Sequence, residues 1–311
     1  MRKRKLPWAI VAVLFVITFL LAIMVVIAAI KSTGRKKDRE ENPTAETVPS
    51  GEVESETLPT EPKGEILKFV DAHDNWYEVE IDPGVEKHPY DLTRFYNDQT
   101  VCSYEDDVYS SRLGIDVSAH QGEIYWQDVA DSGIEFTFVR VGYRGYGPEG
   151  TLVYDDWATD NIYNAQAAGI DVGVYFFSQA VNEEEAVEEA DFVLSLLNQM
   201  ELQLPVVFDS ENILDDDART DNVSGEQFTK NAIAFCKRIN EAGYNAAIYS
   251  NMKWEAFTYD LKQLAEYPIW YADYEPLPQT PYRFTWWQYS EKGYVNGIDG
   301  EVDLDIEIFR K

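Results

Sequence analysis

The stretch Leu204-Pro205-Val206-Val207-Phe208-Asp209-Ser210-Glu211 decides how the chain folds. A short apolar run, opened by proline and rich in valine, predicts a buried β-strand. It breaks into two carboxylates one residue apart, and side chains at i and i+2 of a strand share a face. Asp209 and Glu211 should therefore project together from the end of a buried strand. Desolvating an ion is costly, so acids placed there are either paired or used. Two carboxylates in unequal environments are what acid-catalysed glycoside hydrolysis requires. The plain alternative is a strand end whose acids meet solvent or cap the next helix.

Outward from this strand, strand-like and helical stretches alternate. Strand-like runs begin near Gly114, Phe136, Val172, Pro205, Ala246, Pro268, Phe284 and Val302. Asn182 opens a helix over residues 183–198, with Ala186, Val187, Ala190, Val193, Leu194 and Leu197 on one face. Ser224-Gly225-Glu226-Gln227 has the capping-box pattern ahead of a helix over 228–242, and Gly243 follows as a stop. Eight strands with crossover helices over ~200 residues predict an α/β fold, an irregular (β/α)8-type barrel over 113–311. The irregularity is expected late in the chain, where little sequence is left for helices. Catalytic groups in such a barrel sit at the carboxyl ends of strands, where Asp209 and Glu211 fall.

Upstream, residues 7–30 carry no charge, and as a helix they would span about 36 Å. The run exceeds a signal-peptide core, so residues 1–30 are expected to be a cytoplasmic tail and uncleaved transmembrane signal anchor. Residues 31–62 are Glu, Thr, Pro and Ser with few large apolar residues, a disordered tether with a reach of about 30 Å. Residues 63–112 alternate in strand fashion around Asp74-Asn75 and Asp82-Pro83-Gly84, predicting a small β-rich segment.

Charge excludes one class of partner. The net charge is −30, and residues 1–39 hold nine Lys/Arg against the single acid Asp38. The rest then carries 26 − 9 = 17 basic and 56 − 1 = 55 acidic residues, a net of −38. Such a body does not bind nucleic acid through its phosphates. Basic residues flank both ends of the apolar span, so they do not orient it. The acidic body and the function expected below place the carboxy-terminal part outside a cell membrane crossed once. The two cysteines, Cys102 and Cys236, have no metal-ligand spacing, and Cys236 fits a helix core. The acidic loop over 215–221 lacks the ligand alternation and turn glycine of an EF-hand. No metal and no cofactor is expected.

Further polar clusters fall at predicted strand ends: Asp116-Val117-Ser118 with His120, Trp270-Tyr271-Ala272-Asp273-Tyr274, Trp286-Trp287-Gln288-Tyr289-Ser290 and Val302-Asp303-Leu304-Asp305. Each alone has a plain reading as a turn or edge packing. As an ordered set, with Phe138-Val139-Arg140, Gly173-Val174-Tyr175-Phe176-Phe177-Ser178 and Ile248-Tyr249-Ser250, the chain from about Leu113 onward resembles glycoside hydrolase family 25, the bacterial and phage muramidases.

The resemblance implies cleavage of the β-1,4 bond between N-acetylmuramic acid and N-acetylglucosamine in peptidoglycan, in a groove at the strand ends. Carried over by position, Glu211 is implied as general acid and Asp209 as the group stabilising charge at the reacting sugar. Asp116 and Asp303 are implied as supporting carboxylates. Tyr175, Tyr249, Trp270, Tyr274, Trp287, Gln288, Tyr289, Arg140 and Asp273 are the implied substrate-binding residues. Phe176 stands where the family often has His, and Asp305 where Asn is frequent.

The i, i+2 spacing separates the Asp209 and Glu211 Cα atoms by about 6.6 Å, which leaves the stereochemical outcome open. A substrate-assisted route through the sugar's N-acetyl oxygen is consistent with it. The expected protein is a monomeric, membrane-anchored cell-wall hydrolase whose partner is the glycan strand. Two other readings compete: a wall-glycan-binding module without turnover, and a hydrolase of another N-acetylhexosamine polymer.

Overall fold

The computed structural model describes residues 64–214 and 216–311. The expected anchor at 1–30 and tether at 31–62 lie outside them. Among the described residues no helix is long and apolar enough to cross a membrane.

Two antiparallel pairs come first: β1 (Ile66–Val70) with β2 (Trp76–Glu80), and β3 (Phe95–Asn97) with β4 (Cys102–Tyr104). Then follow β5 (Tyr109–Val117), α1 (Trp126–Asp131), β6 (Phe136–Arg144), β7 (Leu152–Tyr154), α2 (Ala158–Ala167) and β8 (Asp171–Ser178). Next are α3 (Glu183–Leu197), β9 (Val206–Ser210), α4 (Gly225–Glu241), β10 (Ala246–Asn251) and α5 (Met252–Phe257). The chain closes with β11 (Ile269–Ala272), β12 (Trp286–Gly293) and β13 (Val302–Arg310).

The main sheet runs β5-β13-β12-β11-β10-β9-β8-β6, and pairing of β5 with β6 closes it into an eight-stranded barrel. This corrects the expected (β/α)8-type barrel. Strand β13 runs antiparallel to both its neighbours, and no helix separates β11 from β12 or β12 from β13. The reason is chain length. A parallel return needs a crossover of roughly a dozen residues or more. Residues 294–301 are too few, so β13 comes straight back along β12.

Strand alternation sorts the side chains into two cores. Phe136, Phe138, Leu204, Val207, Ala247, Tyr249, Trp270 and Trp286 fill the barrel interior, with Tyr175 against them. The opposite faces, including Val139, Val174, Phe208, Ile248, Tyr271, Trp287 and Tyr289, belong to the larger core shared with the helices. Gly114 is required inside: a Cβ there would lie 2.2 Å from the Phe136 ring.

Helix ends follow their caps. Asn182 accepts from Glu185 N at 2.9 Å and Ser224 from Gln227 N at 3.2 Å. The expected capping box at Ser224 is only half formed, because the Gln227 amide donates to Glu183 and Asn231 instead. Gly243 ends α4 at φ +93°, where a side chain would be strained.

The early strands pack on the barrel's outside. Phe95 meets Trp287 edge-on, with centroids 5.5 Å apart, and Phe69 and Tyr77 stack on each other and both meet Phe257 of α5 at a tilt. Cys102 and Cys236 are free thiols, both buried.

Candidate active site

Parity places the acids. Asp209 follows Val207 on the interior face of β9, and Glu211 continues that face just past the strand end. Asp116 of β5 sits in register with Asp303 of β13. Four carboxylates from three strands thus converge at one mouth of the barrel. A fifth, Asp305, lies one step deeper and accepts from Trp270 Nε1 at 2.8 Å.

Beside them runs a cleft of about 250 Å³, lined by Glu211, Asn212, Tyr249, Tyr274 and Glu291, among others. Tyr249 and Tyr274 both donate their hydroxyls to Gln288 Oε1, at 2.9 and 3.0 Å. With its oxygen so engaged, the Gln288 amide donates to Asp116 Oδ2 at 2.7 Å. Arg140 holds Asp155 at 2.9 Å, and its charge also acts on Asp209 and Tyr175.

These acids cannot all ionise together near neutral pH. Burial, then the charge of Asp303, pushes the Glu211 carboxyl up to about 7. Burial, then Glu291, pushes Asp303 up to about 6. Asp116 is raised well above the usual range by burial and by Asp303, Asp305 and Asp209. Asp209 is raised by burial and by Glu211, with Arg140 pulling it back. Ionising Glu211 makes it harder to ionise Asp209, so the two titrate as a coupled pair. One oxygen of Asp209, Oδ1, is buried with no hydrogen-bond partner among the described residues. An orphan buried carboxylate oxygen is costly to leave dry, and at a cleft mouth it is open to water or a ligand.

Of the residues expected to bind substrate, Tyr175, Tyr249, Tyr274, Gln288 and Arg140 gather around the acids. Trp270 lies beneath them as barrel filling, almost fully buried, its indole committed to Asp305. Trp287 and Tyr289 are not brought to the site. They alternate with Trp286 and Gln288 and face outward, Trp287 donating to Asp273 O at 2.8 Å. The Asp273 carboxylate is held by Tyr271 and Gln279. Phe176 also faces outward, against Phe192. Period-2 parity in Trp286-Trp287-Gln288-Tyr289 already separates these two pairs.

Sequence reasoning missed Gln179. It is fully buried, donates to the Glu211 carbonyl at 3.2 Å and accepts from Thr220 at 2.8 Å. Arg219 clamps this corner, donating to Gln179 O at 3.0 Å and pairing with Glu185 at 2.7 Å. No local pattern marks either residue, since their partners come from distant segments.

The fold and the site together define an acid–base cleft at one end of a closed barrel. Residues 115–298 match the family described as glycosyl hydrolases family 25, and the chain belongs to that family. It is similar to the autolytic lysozyme of Clostridium acetobutylicum, 27% identical over 62% of this chain and 54% of that protein. It is also similar to lysozyme M1 of Streptomyces globisporus, 31% identical over 61% of this chain and 65% of that protein. The solved bacterial lysozyme of Streptomyces coelicolor superposes with a TM-score of 0.50 at 26% identity, over 62% of this chain and 90% of that one. The chain thus spans about half to two thirds of the length of these curated relatives.

Proposed function

We propose that the protein is a muramidase that cleaves the β-1,4 bond between N-acetylmuramic acid and N-acetylglucosamine in peptidoglycan. The observation that carries this reading is the pair at the end of β9: Glu211 titrating at about 7 beside an Asp209 with an unpartnered buried oxygen. Membership of family 25 supports the substrate class.

In this reading the protonated Glu211 gives its proton to the glycosidic oxygen as the bond to C1 breaks. The acetamido oxygen of the same sugar closes on C1, and ionised Asp209 stabilises the positive charge that develops. Water then attacks C1, reopening the ring and returning its proton to Glu211. Burial and the charge of Asp303 hold the Glu211 proton in place near neutral pH, with Asp116 fixed beside them by Gln288.

Incubating the full chain with purified peptidoglycan and identifying the new reducing end by mass spectrometry tests the reading. N-acetylmuramic acid at that end is expected, and N-acetylglucosamine there, or no cleavage, overturns it.

The uncharged run at 7–30 supports an uncleaved anchor with the acidic body outside the cell membrane. Protease added to intact protoplasts should then remove that body; protection of it, or its release as a shortened soluble form, counts against the anchor.

A further inference from the structure

The family match begins at residue 115, yet the wall of the cleft is partly built by chain that precedes it. Val70, Asp71, Ala72 and His73, at the turn between β1 and β2, line the same cleft as Glu211. The turn is fixed in place. The Asp71 carboxylate accepts from His73 N at 2.9 Å, Asn75 N at 3.0 Å and the Tyr77 hydroxyl at 3.0 Å. Gln279 then grips Val70 on both sides, donating to its carbonyl at 2.9 Å and accepting from its N–H at 2.8 Å. The same Gln279 amide reaches Asp273, next in sequence to Tyr274, whose hydroxyl meets Gln288 over the acids. A hairpin that only covered the barrel would not need its turn locked to the site's own frame.

One large aromatic of this hairpin is left open to solvent. Trp76 is 73% exposed, although it is the cross-strand partner of Val70 and shares its face. Exposing an indole is unfavourable in solution, and a flat aromatic face three residues beyond a turn that lines the cleft offers a surface for the apolar face of a pyranose ring. We propose that the β1–β2 turn with Trp76 forms an additional sugar subsite, which binds the glycan strand beyond the residues flanking the scissile bond. The proposal deepens the muramidase reading and rests on it for the identity of the glycan. The bound strand continues out of the cleft past His73, and the indole stacks on one of its rings. Affinity should therefore grow with chain length only while Trp76 is present.

The test uses the full chain carrying Glu211→Gln, so that glycan is bound without turnover. Its dissociation constants are measured by calorimetry for uncrosslinked peptidoglycan glycan strands of two lengths, a disaccharide and an octasaccharide. Adding Trp76→Ala should weaken the octasaccharide by roughly three- to tenfold and abolish most of its advantage over the disaccharide. Tyr163→Ala removes another exposed aromatic, from α2, and should change neither constant. Equal affinities with and without Trp76 overturn the proposal. So does Trp76-dependent binding to phospholipid vesicles with no effect on glycan. If the parent chain cleaves nothing while Trp76 still governs octasaccharide binding, the hydrolase reading fails and the subsite stands.

Discussion

Gln288 of β12 donates to Asp116 of β5 at 2.7 Å across the intervening strand β13. The bond joins strands that are not paired with each other, and the amide is oriented for it because Tyr249 and Tyr274 occupy its oxygen. Gln288 is therefore the hinge pin of the site's polar frame: it keeps two phenols and one carboxyl in fixed positions around the cleft.

Replacing it tests that frame. Gln288→Leu leaves the two hydroxyls and Asp116 without their partner, at a cost of about 1–3 kcal/mol for each group that stays dry. We expect a lower Tm together with a fall of roughly tenfold or more in kcat/KM on peptidoglycan. In a double-mutant cycle with Tyr274→Phe the two effects should be clearly non-additive; simple additivity would show that the hydroxyl and the amide act separately.

Glu211→Gln keeps the shape of the side chain but cannot give up a proton. Turnover should drop by at least ~10²-fold while glycan affinity is nearly preserved. Calorimetry on the variant, beside a reducing-end assay, separates the two. A variant with parental turnover removes Glu211 from the role of acid.

The pH profile should answer to Asp303. Its negative charge raises the Glu211 carboxyl, which must be protonated to act, so activity falls as pH rises through about 7. Asp303→Asn removes that charge and lowers the Glu211 value. The alkaline limb of kcat/KM should then move to lower pH, and a limb that stays or moves up would contradict the coupling.

Stability should also decline toward alkaline pH. Burial raises Glu255 from 4.5 to about 8, with Thr280 as its hydrogen-bond donor at 2.5 Å. A carboxyl raised in the folded state contributes stability that is full below about pH 4.5 and is lost as pH climbs toward 8. Glu211 and Asp303 act in the same direction. Tm should fall between pH 5 and 8, and Glu255→Gln should flatten that slope by roughly 5 °C. An unchanged slope would mean that Glu255 is ionised throughout.

Trp287 separates packing from binding. It is fully buried on the outer face, against Phe95 and Tyr289. Trp287→Ala should cost about 3–5 kcal/mol by denaturant unfolding. Whatever remains folded should bind glycan as the parent does, because the indole does not reach the cleft. Weakened binding at full stability would place Trp287 back in the site.

The sequence by itself determined what is local. A valine-rich run ending in Asp209-Ser210-Glu211 has to put both acids on one face, because alternation is a property of each strand alone. The same alternation separates Gln288 from Trp287 and Tyr289, and side-chain caps and glycines such as Asn182 and Gly243 mark helix ends through bonds within a turn or two. What only the tertiary structure decided is which strands become neighbours. That β13 returns antiparallel, setting Asp303 opposite Asp116, follows from a connection too short for a crossover and from closure of the barrel. That Gln179 holds the Glu211 carbonyl, and that a hairpin ahead of the family region joins the cleft wall, depend on contacts between segments far apart in the chain. Such contacts are selected by packing the whole core at once, so they leave no periodic trace in the residues that make them.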